Sequence, residues 1–282
     1  MPRAASLIRW PRKPATVPCK ELRPSRRCAD DVDWLQTGIE PMLLGGRATV
    51  PVGGDWTYEV KWDGIRAIIT VDRGVIRIRT RNLRDVTSQF PELCLPDRAF
   101  AVNDAVFDGE IVCRDGAGKP ILADVMGRLQ SGGHRITRAM SRHPVVCYLF
   151  DCLYLNGQSK INEPLEYRRT WLAGAVKSGS TSYRLSETVE DGEALFEAVK
   201  SQGLEGVVAK QRGGKYLPGQ RTSTWLKTKV QHTIECCIIG YTAGDGARDQ
   251  TFGSLHLARP SNGDDSLRYL GKVGSGFGSR SR

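Results

Sequence analysis

The stretch EVKWDGIR, residues 59–66, has one lysine between two acids and then turns at Gly64. Because alternate side chains of a β-strand share a face, the spacing predicts that Glu59, Lys61 and Asp63 point in the same direction. These eight residues alone leave two interpretations open. One is an exposed strand whose charges face water. The other is a nucleophilic lysine in a shaped pocket, where desolvation or a bound cation favours its neutral form.

The composition is that of a folded chain with a polyanionic partner. The 282 residues suffice for one large domain or two ordinary ones, and 40% of them are hydrophobic, which argues against wholesale disorder. The formal net charge of +10, from 41 basic and 31 acidic residues, suits nucleic acid or a nucleotide as the ligand.

Membrane and secreted proteins are disfavoured. The sequence has no run of about 18 apolar residues, which a membrane-spanning helix needs, and no apolar core of a secretory signal follows its basic N-terminus. The eight cysteines form no C-x-x-C pair, and the four histidines have no metal-ligand spacing. We therefore expect a reduced, cytoplasmic protein without a membrane partner.

Periodicity and turn residues divide the chain into three parts. Residues 1–36 are rich in proline and arginine and predict a basic, disordered tail, with an arm that touches nucleic acid as the alternative. Residues 37–230 mix strand-like runs with two helical stretches, EPLEYRRTWLAGAV and EDGEALFEAVKSQG. Residues 231–282 contain three strand-like runs separated by Gly, Asp and Asn turns, which predict a small all-β module.

Within the middle part, AVFDGEIVCRDGAGKPI (residues 105–121) predicts a strand, a glycine-rich turn and a return strand. PVVCYLFDCLYLNG (residues 144–157) predicts a buried strand that ends in an Asn-Gly turn. LEGVVAKQ and STWLKTKV predict two further strands.

Four of these stretches carry chemically useful groups at or beside strand positions. DGEIV contains Glu110, LFDCLYL contains Phe150, EGVVAK begins with Glu205, and WLKTKV has Lys227 and Lys229 on one strand face. Each stretch alone is weak, because an acid in a turn or a pair of lysines at a strand edge is ordinary. Together they supply two acids, an aromatic platform and a pair of cations to accompany a lysine nucleophile, as nucleotidyl transfer requires.

Positive charge is concentrated near the last two of these stretches. Residues 203–230 hold six basic residues and one acid, a net charge of +5 in about a tenth of the chain. Lysine and arginine are the usual partners of phosphate, so this segment predicts a phosphate-rich ligand.

With these stretches in this order and at this spacing, the sequence resembles the covalent nucleotidyltransferases, and among them the ATP-dependent DNA ligases. KWDGIR resembles their first motif, TRNLRDVTSQFPEL the next, FDGEIV the third, YLFDCLYLNG the aromatic motif, EGVVAK the fourth and WLKTKV the fifth. FGSLHLA and LRYLGKVGSGF resemble the opening strands of the barrel in bacterial non-homologous end-joining ligases. The resemblance extends over about residues 38–277.

The resemblance implies an α+β fold. An adenylation (nucleotidyltransferase) domain of two antiparallel sheets with flanking helices is expected, followed by a partial, all-β oligonucleotide-binding barrel. It implies an enzyme that uses ATP and magnesium or manganese to seal nicked duplex DNA. A lysine is adenylated, AMP passes to the 5′-phosphate of a nick, and the 3′-hydroxyl expels it. A monomer in the bacterial cytoplasm, associated with the nucleoid and with end-joining proteins, is expected.

The resemblance also implies roles for the residues of the reaction. Lys61 is expected to be the adenylated nucleophile, and Asp63 to support metal-assisted sealing. Glu205 is expected to bind the metal ion, which neutralises phosphate charge and favours deprotonation of the lysine. Both lysines of WLKTKV are expected to hold the α-phosphate, and Arg221 is assigned as a further phosphate contact.

Other residues are assigned to the nucleotide itself. Glu59 is expected to meet the adenine edge and to select adenine. Arg66 and Arg81 are expected to contact ribose and phosphate, with Arg81 near the 5′-phosphate of the nick. Glu110 is expected to hold a ribose hydroxyl, and Phe150 to stack on the base.

The sequence departs from the family after the third strand-like run of residues 231–282. The last motif of the family, which orients pyrophosphate in the first step, is not found, so impaired self-adenylation is expected. This leaves a nick- or end-binding accessory module as the alternative function. An RNA ligase or a GTP-using capping enzyme is a third candidate, which Glu59 disfavours.

Overall fold

The computed structural model describes residues 34–95, 99–231, 233–246, 249–261, 266–274 and 277. The chain divides into two compact units, Met1–Val230 and Gln231–Arg282. Most of the predicted tail lies outside the described residues. Its last three residues, 34–36, belong to a short helix whose Leu35 is buried in the core, so the folded part begins before the predicted boundary.

The first unit contains ten strands and five helices within its described residues. The strands are β1 (Leu43–Gly46), β2 (Trp56–Val60), β3 (Ile65–Asp72), β4 (Val75–Thr80), β5 (Asp104–Cys113), β6 (Val145–Leu155), β7 (Gln158–Ser159), β8 (Tyr183–Leu185), β9 (Gly206–Gln211) and β10 (Arg221–Lys229). The helices are α1 (Trp34–Thr37), α2 (Leu122–Gln130), α3 (Arg135–Arg142), α4 (Leu165–Ala175) and α5 (Gly192–Ser201). Two 3₁₀ turns, Thr87–Gln89 and Pro91–Leu93, follow β4.

These strands form two sheets. The larger has the order β4-β3-β5-β6-β7, with β8 also paired to β6, and the smaller has the order β1-β10-β9-β2. Neighbours are antiparallel except for the pairs β6–β8 and β1–β10, which are parallel. The expected α+β architecture of two sheets with flanking helices is confirmed.

The hydrophobic core has three parts, which explains why the central strands are apolar on both faces. Ile69 and Phe107 of the larger sheet pack with Leu172 of α4. On the opposite face of that sheet, Ile68 packs with Trp225 of β10 and therefore joins the two sheets. A third cluster lies between the smaller sheet and α5. Because strands β3, β5 and β6 are buried on both faces, their sequences are nearly continuous runs of apolar residues.

Local predictions in this unit had mixed outcomes. The Asn-Gly turn after β6 is present, with φ angles of 48° at Asn156 and 85° at Gly157, and both predicted helices form. The predicted return strand after β5 is wrong. Only an isolated β-bridge between Arg114 and Pro120 forms there. Helix α2 forms after this bridge, and its Val125 packs against the larger sheet.

The second unit contains three strands in its described residues. They are β11 (Cys237–Ala243), β12 (Phe252–Pro260) and β13 (Leu267–Val273), paired antiparallel in that order. The three predicted strand-like runs are thus confirmed. Across the described part of the whole chain, no helix has the length and apolar character needed to cross a bilayer.

Candidate active site

The segment between β2 and β3 carries the chain from the smaller sheet to the larger one. It consists of residues 61–64 and lies beside a pocket formed by side chains of both sheets. Gly64 is required for this passage, since a Cβ atom there would lie 2.2 Å from the carbonyl oxygen of Ile111. The pocket is lined by five residues that the sequence assigned to one site, namely Glu59, Lys61, Arg66, Glu110 and Phe150.

Lys61 is held at the end of β2 by contacts with the start of β9. Its backbone N–H donates to the carbonyl oxygen of Gly206 over 2.9 Å, and its Nζ donates to Glu205 Oε2. Lys229 Nζ lies 2.8 Å from the other carboxylate oxygen. Burial would raise the pKa of Glu205, but the hydrogen bonds from Lys229 and Lys61 outweigh it and lower the pKa. Glu205 therefore remains a carboxylate between two ammonium groups.

Asp63 does not share a strand face with Glu59 as the alternation predicted, because β2 ends at Val60. It nevertheless lies within electrostatic range of the Lys61–Glu205 pair. Partial burial, and then the charge of Glu205, raise the pKa of Asp63. Two carboxylates are thus available beside the lysine.

Further cations surround this pair. Partial burial, and then repulsion from Lys229 and Lys61, lower the pKa of Lys227. No described residue forms a hydrogen bond or ion pair with the side chain of Lys227. Arg221, at the exposed start of β10, also lowers the pKa of Lys227 and donates to the carbonyl oxygen of Leu44. Such a cluster, in which positive charges outnumber the carboxylates, suits a phosphate chain.

Glu59 lies deeper in the pocket and is only 2% exposed. Its Oε1 accepts hydrogen bonds from Lys210 Nζ at 2.8 Å and from Arg169 Nη1 at 3.3 Å. The Nζ of Lys210 also lies 4.2 Å from the ring centre of Phe150 and 4.4 Å from that of Trp225. This buried ammonium is therefore compensated by one carboxylate and two aromatic rings.

The Arg66 side chain forms more hydrogen bonds within the protein than the sequence predicted. Its Nε and Nη2 each donate to Asp108 over 2.6 Å, and Tyr216 donates to the same carboxylate over 2.6 Å. Its guanidinium carbon lies 4.7 Å from the ring centre of Phe150. Arg66 thus supports the aromatic wall of the pocket, which consists of Phe150 and Trp225. No described group forms a hydrogen bond with the Nη1 of Arg66.

Glu110 lies opposite Arg66 on the neighbouring strand and opposite Tyr148 on the other side. Burial raises the pKa of Glu110 to about 8, although Arg66 and Lys61 act in the opposite direction. At neutral pH the Glu110 carboxyl group is therefore largely protonated. In this form it can donate a hydrogen bond as well as accept one.

The raised pKa predicts that Glu110 makes stability fall with rising pH. The carboxyl group loses its proton at about pH 4.5 in the unfolded chain and at about pH 8 in the folded one, so stability decreases through this window. Glu110→Gln should remove this decrease and be the more stable protein at pH 8.5, by up to about 5 kcal/mol. Urea unfolding at pH 5.5 and 8.5 measures the effect.

The exposed carboxyl of Glu187 provides the control, since Glu187→Gln should leave the pH dependence unchanged. An identical pH dependence in Glu110→Gln and the unsubstituted protein would contradict the assignment.

Six predicted residues do not line the pocket: Asp63, Glu205, Lys227 and Lys229 belong to the charged cluster around Lys61, and Arg81 and Arg221 are the other two. Arg81 is exposed and follows Thr80, which pairs with Ala67. It therefore lies at the end of the larger sheet that carries Arg66, outside the pocket lining. Arg221 likewise lies at the rim of the cation cluster rather than in the pocket.

The sequence did not indicate three groups that shape the pocket. Lys210 could have been recognised as a charge inside the apolar strand GVVAKQ, two residues after Val208, which also lines the pocket. Trp225 could have been recognised as the buried neighbour of the predicted lysine pair. No local sequence pattern identifies Arg169 as a pocket-shaping residue, because an arginine on a helix is ordinary. Its role becomes visible only when the helix packs against β6.

The carboxylates fit a magnesium or manganese ion. Mg²⁺ is typically held by one or two carboxylates together with water and substrate phosphates, rather than by a complete protein cage. Glu205 and Asp63 supply such a pair beside the cation cluster. The described residues contain no group of three or more His, Cys, Asp or Glu side chains that could hold a metal ion.

Comparisons with known proteins identify the family. The sequence model of a protein family, described as the ATP-dependent DNA ligase domain, matches residues 48–229. The multifunctional non-homologous end joining protein LigD of Mycobacterium bovis is 35% identical over 244 residues, which are 86% of this chain and 30% of LigD. DNA ligase C1 of Mycolicibacterium smegmatis is 36% identical over 250 residues, 86% of this chain and 70% of that protein.

A solved structure gives the same result. The mycobacterial DNA ligase D complexed with ATP is 30% identical, with a TM-score of 0.59, and the match covers 87% of this chain and 75% of that one. This chain spans about 30% of the length of the full LigD proteins. It belongs to the family of ATP-dependent DNA ligase domains.

Proposed function

We propose that the protein seals nicks in duplex DNA through a lysyl-AMP intermediate and acts in bacterial end joining. The observation that carries this proposal is the position of Lys61. It lies between a buried pocket with an aromatic wall, suited to a base, and a cluster of lysines beside Glu205, suited to phosphates. Family membership supports the use of ATP and DNA.

In the first step, Lys61 loses its ammonium proton to solvent, and the neutral Nζ attacks the α-phosphorus of ATP. A phosphorus–nitrogen bond forms, the bond to the β-phosphate oxygen breaks, pyrophosphate leaves, and the nitrogen releases a second proton to solvent. Lys227 and Lys229 stabilise the negative charge that develops on the α-phosphate oxygens. A bound Mg²⁺ would be held by Glu205 and Asp63, and its chemistry is to neutralise phosphate charge.

The base is held in the pocket between the sheets. Phe150 offers its ring face, Glu59 offers an acceptor to the exocyclic amino group of adenine, and Glu110 binds a ribose hydroxyl. The AMP then passes to the 5′-phosphate of a nick, and the 3′-hydroxyl displaces it. Nicked duplex DNA is the proposed substrate, with Arg81 and Arg221 at the edge of the site as phosphate contacts.

The test uses ATP or GTP labelled at the α-phosphate. With magnesium, ATP should give a labelled protein and GTP should not, and the label should survive denaturation and alkali but be lost in acid, as a phosphorus–nitrogen bond requires. Addition of nicked duplex should then release the label as AMP and yield a joined strand. No covalent label from any nucleotide would reject the proposal, and preferential labelling by GTP would favour a capping enzyme.

Loss of the aromatic wall should weaken nucleotide binding rather than the chemical step. A stacking contact with a base contributes about 1–3 kcal/mol, so Phe150→Ala should raise the KM for ATP by about 5- to 150-fold with a smaller change in kcat. Initial rates of self-adenylation over a range of ATP concentrations measure this. Phe150→Tyr keeps the ring and serves as the control. An equal loss of affinity for ATP and for inorganic tripolyphosphate would contradict the stacking role.

A further inference from the structure

Arg169 of α4 contacts the pocket residue Glu59 and lies outside the motif stretches of the sequence. Its Nη1 donates to Glu59 Oε1 and to the carbonyl oxygen of Phe150, each over 3.3 Å. Its Nη2 donates to the carbonyl oxygen of Ser186 over 2.5 Å. One guanidinium thus connects the carboxylate of the pocket to the backbone of its aromatic wall.

The hydrogen bonds to Glu59 all fall on one of its two oxygens. Both Arg169 and Lys210 donate to Oε1, and no described residue donates to Oε2. Glu59 lines the pocket, so its unshared oxygen is available to a ligand. An ionised carboxylate only accepts hydrogen bonds. It therefore favours adenine, whose position 6 carries an amino donor, over guanine, whose position 6 carries an acceptor.

The two cations on Oε1 constrain the carboxylate differently. Lys210 has a rotatable ammonium, which attracts Glu59 without fixing its orientation. Arg169 has a planar fork, and that fork is fixed by two backbone carbonyl groups. The orientation of the Glu59 carboxylate therefore depends more on Arg169.

Its neighbour Arg168 has a different set of partners. Arg168 is fully buried and pairs through two nitrogens with Asp151, at 2.7 and 2.9 Å. None of Arg168, Asp151 and Arg169 lines the pocket, but Arg169 is hydrogen-bonded to Glu59, which does. Arg169 has no such bidentate carboxylate partner, and its side chain is 17% exposed.

We propose that Arg169 is a positioning residue for base selection, because it holds one oxygen of Glu59 and turns the other toward the purine. This inference rests on the proposed function, and it adds a residue that determines nucleotide specificity. Removing Arg169 should affect recognition of the 6-amino group, whereas the attack of Lys61 on the α-phosphorus should be less affected.

The experiment compares ATP with purine riboside triphosphate, which lacks the 6-amino group. Single-turnover labelling is measured over a range of nucleotide concentrations for the unsubstituted protein, Arg169→Gln and Arg169→Lys. A hydrogen bond to a charged group contributes about 1.5–3 kcal/mol, so Arg169→Gln should reduce the preference for ATP by tenfold or more. Arg169→Lys, which keeps the charge but not the fork, should lose part of the preference.

Arg184→Gln removes an exposed charge and should keep the full preference for ATP. Equal losses with both nucleotides in Arg169→Gln would overturn the inference and indicate a structural role only. If Arg169→Gln does not fold, an unchanged preference in Arg169→Lys would overturn it as well. Failure of the unsubstituted protein to react with either nucleotide would instead reject the proposed function.

Discussion

Lys61→Ala should carry no AMP after incubation with ATP and magnesium. Among the lysines that the structure describes, only Lys61 combines a position in the pocket with an ion pair to Glu205, and we expect no other to reach the α-phosphate in the same geometry. The Lys61 side chain is 18% exposed, and its removal leaves the buried clusters intact. We therefore expect a folded protein without covalent label. Intact-mass and peptide mass spectrometry measure the label and its position.

Two comparisons sharpen this test. Lys215→Ala, which removes an exposed lysine, should become labelled normally. Lys61→Ala should also still join nicks that already carry AMP, because that step does not require a nucleophilic lysine. An AMP group on another lysine in the unsubstituted protein would show that the site has been assigned to the wrong residue.

Glu205→Ala should lower the rate of self-adenylation by at least about 100- to 1,000-fold. Stabilisation of phosphate charge by a metal ion contributes several kcal/mol, and each 1.4 kcal/mol corresponds to a factor of ten. The substitution also leaves Lys61 and Lys229 without their carboxylate, which increases repulsion within the cation cluster. Single-turnover rates over a range of magnesium concentrations measure both effects.

Glu205→Asp provides the matched variant. It keeps the charge but shortens the side chain, so its lower rate should recover partly as magnesium is raised. Lys229→Ala should lower the rate without a comparable shift in magnesium dependence. If Glu205→Ala had the magnesium dependence of the unsubstituted protein, Glu205 would not be a metal ligand.

The elements that the sequence predicted best are those with a strong local pattern. Strands β9 and β10 contain β-branched residues typical of strands, and α5 follows from its helical spacing. The structure adds that Asp191 caps this helix, accepting from Ala194 N–H over 2.9 Å. The short helix α1 and the pair α2–α3 were not predicted. They are short, and tertiary packing contributes to their stability, since Leu35 of α1, Val125 of α2 and Ile136 of α3 are buried.

The same distinction applies to the site. Lys61, Glu110 and Glu205 lie at strand ends or in strands whose motifs are contiguous, and the fold brings them together at one pocket edge. Lys210 and Arg169 are separated from Glu59 by 151 and 110 residues, and their ion pairs with it arise only when the sheets and α4 have packed. No local pattern encodes such long-range partners.

The pocket lies where two separately hydrogen-bonded sheets meet. Glu59 and Lys210 belong to the smaller sheet, whereas Glu110 and Phe150 belong to the larger one. A nucleotide that contacts both sheets would hold them together, because the sheets could not separate until it had dissociated. Ligand that binds only the folded state stabilises it by about 2.7 kcal/mol at a hundred times its dissociation constant. The proposed lysyl-AMP would be the limiting case of such a ligand, because its covalently attached AMP would not dissociate until it is transferred.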